Sequence, residues 1–276
     1  MTSARPPKTV LVQRHGLVTR ITHGINLLVV IGLLMSGLQI FNAHPALYWG
    51  HKSTFTQPWL AIQALDQGDG MAGSTWINGH GFETTGVLGY SGAPGAGEKR
   101  AFPKWATLPS YRSLGTGRHW HFFLAWIFVG NGLVYLASGL ITGHVRRDLL
   151  PTRRELGLRQ ILQTVWDHLR LRFPRGEAAR SYNVLQKLAY LAVAFILLPL
   201  MVLAGLGMSP GVDAGLPGLV SLFGGRQSAR SIHFICASLI VGFIGLHVLM
   251  VLLSGPLNQL RGMITGKFRL EVREDG

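Results

Sequence analysis

Uncharged apolar runs recur four times along the chain, and most charged residues stay between them. Roughly Ile21–Phe41, Phe122–Gly143, Leu188–Met208 and Ile232–Gly255 are each long enough to cross a bilayer as a helix. With their flanks they predict helices over about 17–41, 119–144, 182–208 and 230–255, within one integral membrane domain covering 1–276. The expected fold is an all-α membrane protein, a four-transmembrane-helix bundle. A long extracytoplasmic loop, 42–117, joins the first two helices, and a cytoplasmic connection, 145–181, joins the second to the third. The N-terminus has no short apolar core followed by a small-residue cleavage site, so the first run reads as a retained helix. Pro199 falls inside the third run and predicts a kink there. That run has no His, Asp or Glu and reads as scaffold.

Charge placement sets the orientation. The formal net charge is +14, a value that in a soluble protein would suggest nucleic acid. Here Arg5, Lys8, Arg14 and Arg20 precede the first run with no acid among them. The Arg146–Lys187 segment holds ten Lys/Arg against Asp148, Glu155, Asp167 and Glu177. The connection between the third and fourth runs has little charge beyond Asp213, Arg226 and Arg230. By the positive-inside rule, both termini and the second connection face the cytoplasm of a multi-pass protein in the bacterial inner membrane. The basic excess is topological, and no nucleic-acid partner is expected. The single cysteine, Cys236, rules out an intrachain disulfide, a C-x-x-C metal site and covalent C-x-x-C-H haem attachment.

Two connections carry pattern of their own. The 42–117 loop is rich in Gly and Pro but also holds Tyr48, Trp49, Trp59, Trp76, Trp105 and Tyr111. A disordered linker is poor in aromatics, so an ordered cap is expected. In the cytoplasmic connection, Leu158, Ile161, Leu162, Val165, Trp166 and Leu169 recur at helical spacing beside Arg159, Arg170 and Arg172. They predict an amphipathic helix lying on the inner membrane surface.

Of eleven histidines, His15, His44, His51, His80 and His168 sit in polar or irregular segments and read as ordinary surface or loop residues. His23, His119, His121, His144, His233 and His247 sit at membrane borders, where an imidazole is costly without a partner. From His233 to His247 a helix advances about 21 Å and returns to within about 40° of its starting direction, so both rings look out from one face. Helix directions sort the histidines into two levels. The outer level has His233 with His121 or His119, and the inner has His247 with His23, near His144. Paired imidazoles at each of two depths can ligate two haem irons axially.

The pattern R-x-x-H marks three helix starts: Arg20-Ile-Thr-His23, Arg118-His-Trp-His121 and Arg230-Ser-Ile-His233. Each Arg lies on the face of its His, one turn nearer water. There Arg20, Arg118 and Arg230 could meet haem propionates, and the pattern selects His121 over His119. Snorkelling at helix ends is the competing account of these arginines. An ion transporter should carry intramembrane Asp or Glu, and the four runs have none. No H-x-x-H or H-x-x-x-H cluster suggests a di-iron oxygenase.

The stretches RITHGINLLVVIGLLMSGLQIF, GRHWHFFLAWIFVGNGLVYLASGLITGHVRRDLLP, YNVLQKLAYLAVAFILLPLMVLAGLGMSP and RSIHFICASLIVGFIGLHVLMVLLSG resemble the spans of bacterial b561-type dihaem cytochromes b. These include the membrane subunits of nickel-iron hydrogenases, formate dehydrogenases and thiosulfate reductases. The resemblance covers four helices and the cytoplasmic connection; the long outer loop departs from it. It implies ligands on the first, second and fourth helices and two non-covalent haem b groups. It also implies electron transfer between quinone and a periplasmic catalytic subunit, for instance a molybdopterin-type oxidoreductase. The chain is then an electron-transfer subunit of a membrane oxidoreductase complex. Expected iron ligands are His23, His121, His233 and His247. A quinone site is expected at the cytoplasmic edge, where His144 supplies a titratable group and Asn26 a hydrogen bond. The alternatives are a stand-alone b561-type oxidoreductase passing electrons from quinone to a small external acceptor, or a non-redox membrane scaffold.

Overall fold

The computed structural model describes residues 8–68, 70–92, 97–172 and 181–272; Arg5 and Glu177 of the charge pattern lie outside them. Among the described residues, four helices are long and apolar enough to cross a membrane: Leu17–Phe41, Leu114–Ile141, Val184–Gly207 and Arg226–Leu253, the first to fourth spans. An apolar run of this length suits a helix in lipid, because only its own ladder can satisfy the backbone there. Polar side chains inside the spans follow the same rule. Ser36 donates to Gly32 O at 2.7 Å and Thr22 to Val18 O at 2.8 Å, each one turn back.

The third span starts on a capping box, Asn183 Oδ1 accepting from Gln186 N at 3.0 Å and Gln186 Oε1 from Asn183 N at 3.1 Å. Its turn widens to π geometry over Val193–Leu197, just ahead of Pro199. Proline lacks an N–H and crowds the carbonyl four residues back, and a wide turn there relieves both problems.

By internal contacts the chain forms two units. One comprises Met1–Ile25, Asn131–Leu198 and Leu239–Gly276; the other comprises Asn26–Gly130 and Pro199–Ser238. In the first unit β1 (Lys8–Gln13) pairs antiparallel with β8 (Lys267–Val272), from Lys8↔Val272 to Gln13↔Lys267. A surface helix, Leu158–Leu169, presents Leu158, Leu162, Trp166 and Leu169 at helical spacing, all exposed. Just ahead of it, Glu155 takes Lys187 Nζ at 2.9 and 3.1 Å, which holds the Glu155 carboxyl below its ordinary range.

The second unit corrects the all-α expectation. Its 42–113 insert is a folded β structure, with β2 (Ala46–Leu47), β3 (Leu60–Asp66), β4 (Met71–Ile77) and β5 (His80–Glu83) in the antiparallel order β2-β3-β4-β5. A small ribbon of β6 (Tyr90–Ser91) and β7 (Glu98–Lys99) accompanies it. Asn78-Gly79 closes the β4–β5 hairpin with φ of +47° and +83°, the two left-handed positions of a type I′ turn.

Apolar residues of the insert (Leu47, Leu60, Ile62, Ala101) form one core with Phe41 at the end of the first span, and Phe234 of the fourth span packs against it. Polar ties join the same parts. Trp59 Nε1 donates to Ser231 Oγ at 2.9 Å, and Ser231 Oγ to Tyr48 O at 2.6 Å. At the start of the fourth span, a Cβ on Gly225 would stand 2.6 Å from Gly50 C and O, so only glycine allows the two backbones to meet.

Candidate functional site

In the second unit, the second span brings His121 beside His233 of the fourth. Their ring centroids are 6.1 Å apart with planes at 68°. Both rings are oriented through Nδ1. His233 Nδ1 lies 2.8 Å from Met201 O, and a carbonyl only accepts, so Nδ1 carries the proton and Nε2 the lone pair. His121 Nδ1 lies 3.1 Å from Ser36 Oγ. The Ser36 hydroxyl already donates to Gly32 O, so its oxygen accepts from the ring and Nε2 again keeps the lone pair. Each ring lies against a glycine. A Cβ on Gly37 would meet His121 Cε1 at 3.4 Å, and one on Gly205 would meet His233 Cε1 at 3.2 Å.

In the first unit, His23 of the first span and His247 of the fourth stand 6.3 Å apart, with planes at 56°. Here aromatic packing orients a ring. Phe243, one turn before His247, stacks on it at 6.0 Å and 21°, and Tyr190 of the third span meets Phe243 edge-on at 6.5 Å. Asn131 Nδ2 donates to Thr22 O at 2.8 Å, fixing the second span to the first beside His23.

The separations would suit two imidazoles sharing one metal. A metal–imidazole bond is about 2 Å and each ring centre lies about 1.1 Å beyond its nitrogen, so the centroids should stand roughly 6.2 Å apart. Among the described residues no three His, Cys, Asp or Glu cluster as a metal site. Two ligands suffice when a macrocycle fills the other four positions, so these residues fit haem.

The remaining predicted residues are placed as follows. His119 is exposed, and His121 faces His233. Arg20 donates through Nε to Met263 O at 3.1 Å and through a second nitrogen to Ile264 O. Arg230 donates to Ala46 O at 3.0 Å and to His44 O. Arg118 is exposed and lies 5.6 Å from the Phe122 ring centre. His144 Nδ1 is 2.6 Å from Asp148 Oδ2, and Asn26 is half-buried in the first span.

Sequence reasoning missed Ser36, the Met201 carbonyl, Gly37 and Gly205. A serine–glycine step inside an apolar run was the available signal for the first span; nothing marks a backbone carbonyl. The third span is therefore more than scaffold, since Met201 orients His233. His15 was also missed. Its Nδ1 is 3.4 Å from the Tyr182 hydroxyl, and burial, with Arg14 next, holds its pKa down to about 4. Burial pushes the Tyr182 phenol up.

Histidines paired between long apolar helices define an integral membrane electron-transfer protein. The chain belongs to the prokaryotic cytochrome b561 family, which it matches over residues 14–266. Members of that family bind haem b and transfer electrons in membranes. A putative protein-methionine-sulfoxide reductase subunit, YedZ1, of Azospira oryzae is 38% identical over 152 residues, 55% of this chain and 71% of the relative. No solved structure matches.

Proposed function

We propose that the chain holds two haem b groups, one between His121 and His233 and one between His23 and His247, and carries electrons between quinone and an external redox enzyme. The observation that carries this reading is the pair of metal-bridging separations, 6.1 and 6.3 Å. Bound haem would supply a one-electron iron couple. Ser36 and the Met201 carbonyl keep the protons of His121 and His233 on Nδ1, leaving Nε2 to ligate. A guanidinium has five N–H donors; Arg20 and Arg230 each direct two nitrogens at carbonyls, and their remaining donors, with Arg118, serve propionates.

Pairing of β1 with β8 supports both chain ends lying on one side, the cytoplasmic side of the inner membrane by their charge. The β insert then faces outward with the His121–His233 site, and the His23–His247 site lies at the inner edge. There His144 is the proposed quinone contact. Asp148 accepts from Nδ1 of His144, which leaves Nε2 to take a proton from a quinol. The name of the Azospira oryzae relative, a protein-methionine-sulfoxide reductase subunit, supports a reductase as the partner.

A pyridine haemochrome assay with reduced-minus-oxidised spectra tests the reading. Two haems per chain are expected; one or none overturns it. His144→Ala should slow quinol-driven haem reduction, and an unchanged rate and inhibitor sensitivity place the quinone elsewhere.

A further inference from the structure

The β insert carries a recess of about 510 Å³ lined by Glu98, Lys99, Arg100, Lys104, Tyr111 and Arg112. Four cations face one carboxylate, and that carboxylate is already engaged: Glu98 takes Lys104 at 2.6 Å and Arg100 at 3.4 Å. The recess is left with a surplus of positive charge.

Arg100 is a fixed member of it, only 4% exposed. Its guanidinium donates to Ser110 O at 2.8 Å, Thr107 Oγ1 at 2.9 Å and Gln39 Oε1 at 3.0 Å. Its Nε is buried with no hydrogen-bond partner among the described residues. These bonds tie the 98–112 segment to the end of the first span, so the cations sit on a rigid base.

The other cations lie at the surface, Lys104 still paired with Glu98. Lys99, Lys104, Tyr111 and Arg112 are exposed, and Trp105, next to Lys104, is 80% exposed. Arg, Tyr and Trp grouped on a rigid surface are the residues that carry most protein–protein binding energy. The Lys104–Glu98 contact shows one of these cations presenting its N–H groups to a carboxylate. Position completes the argument: Arg112 lies two residues before the second span, which places His121 two turns further on.

We propose that Lys99, Lys104 and Arg112, with Tyr111 and Trp105, form the docking surface for a redox protein with a carboxylate-rich face, which exchanges electrons with the His121–His233 site. Each exchange moves one electron, oxidising the donor and reducing the acceptor, and no bond forms. The electron step rests on the dihaem reading; the docking does not. Complementary charge would raise the encounter rate and fix the orientation.

The test uses the full haem-loaded chain in nanodiscs of zwitterionic lipid, with a fluorescein-labelled polyglutamate peptide as probe. The triple variant Lys99→Gln, Lys104→Gln, Arg112→Gln should weaken binding at least about tenfold. Arg153→Gln, Arg154→Gln, Arg159→Gln, in the other unit, should leave it unchanged, and carbodiimide coupling should map to Lys99 and Lys104. Binding by the first variant within about twofold of the parent, or coupling only at other lysines, overturns the proposal. So does loss of peptide binding in phosphatidylglycerol nanodiscs, which would assign the surface to lipid headgroups. Citrate binding as tightly as the peptide would assign it to a small anion.

Kinetics supply the second arm. Ferricyanide, an anion, takes one electron from the dithionite-reduced protein; at low ionic strength the first variant should slow it about tenfold. Oxidation by the cationic tris-phenanthroline cobalt(III) complex should not slow. Equal slowing of both breaks the link to charge steering. An absent haem spectrum would sink the dihaem reading alone, since peptide binding decides the docking independently.

Discussion

The two histidine pairs have nearly the same separation and reach it by different means. At His121–His233 both rings are held through Nδ1, by Ser36 and by the Met201 carbonyl, and each lies against a glycine. At His23–His247 no such bond is present among the described residues. Phe243 stacks on His247 instead, His23 is exposed in the protein alone, and the nearest polar tie is from Asn131 to the backbone beside His23. A hydrogen bond fixes both the tautomer and the direction of a ring; a stacked phenyl fixes only its plane. The first site should tolerate change at its supporting residues poorly, and the second should respond more softly.

The strongest challenge to this comparison is to remove ligands. His121→Ala or His233→Ala should halve haem content and abolish one spectral component while preserving the other, and His23→Ala or His247→Ala should do the reverse. His119→Ala should change neither. Loss of both components from any single substitution would show that the sites are not independent.

Supporting residues come next. Gly205→Val places carbons where His233 Cε1 stands 3.2 Å from even a Cβ. It should cost about 1–3 kcal/mol of thermal stability and reduce the His121–His233 component selectively. Ser36→Ala removes the acceptor for His121 Nδ1. By the usual effect of such partners it should weaken metal-site affinity about 10–100-fold, read by haem retention during dilution in detergent. Phe243→Leu at the other pair should cost only about 0.5–1.5 kcal/mol. If the Phe243 change is the more damaging, the contrast between hydrogen-bonded and stacked support is wrong.

The smallest effect is one of pH. Burial and Arg14 keep His15 neutral in the folded protein down to about pH 4, whereas a free imidazole protonates near 6.5. The unfolded chain therefore binds the extra proton first. The contribution of His15 is complete above about pH 6.5 and is lost as pH falls toward 4. Thermal melts between these values should flatten in His15→Gln, and an unchanged pH slope would remove His15 from the account.

Particular residues show what was readable and what was not. The Asn78-Gly79 dipeptide is a strong local hairpin signal, but β4 also pairs with β3, and β3 with β2, which no local pattern specifies. The aromatic content of 42–117 announced an ordered region without revealing that Leu47, Leu60 and Ile62 share a core with Phe41. The three R-x-x-H motifs located helix starts. They did not show that Arg20 reaches the carbonyls of Met263 and Ile264, or Arg230 those of His44 and Ala46, because those carbonyls lie far along the chain.

By itself the sequence determined the four spans and the histidines worth attention. A bilayer demands long uncharged runs and makes each intramembrane imidazole conspicuous, and both signals are local. Tertiary structure alone decided that the Met201 carbonyl and the Ser36 hydroxyl orient two of the histidines, and that residues 8–13 pair with 267–272. Those outcomes depend on groups brought together across the whole chain, and a backbone carbonyl looks the same in every residue until the fold points it at something.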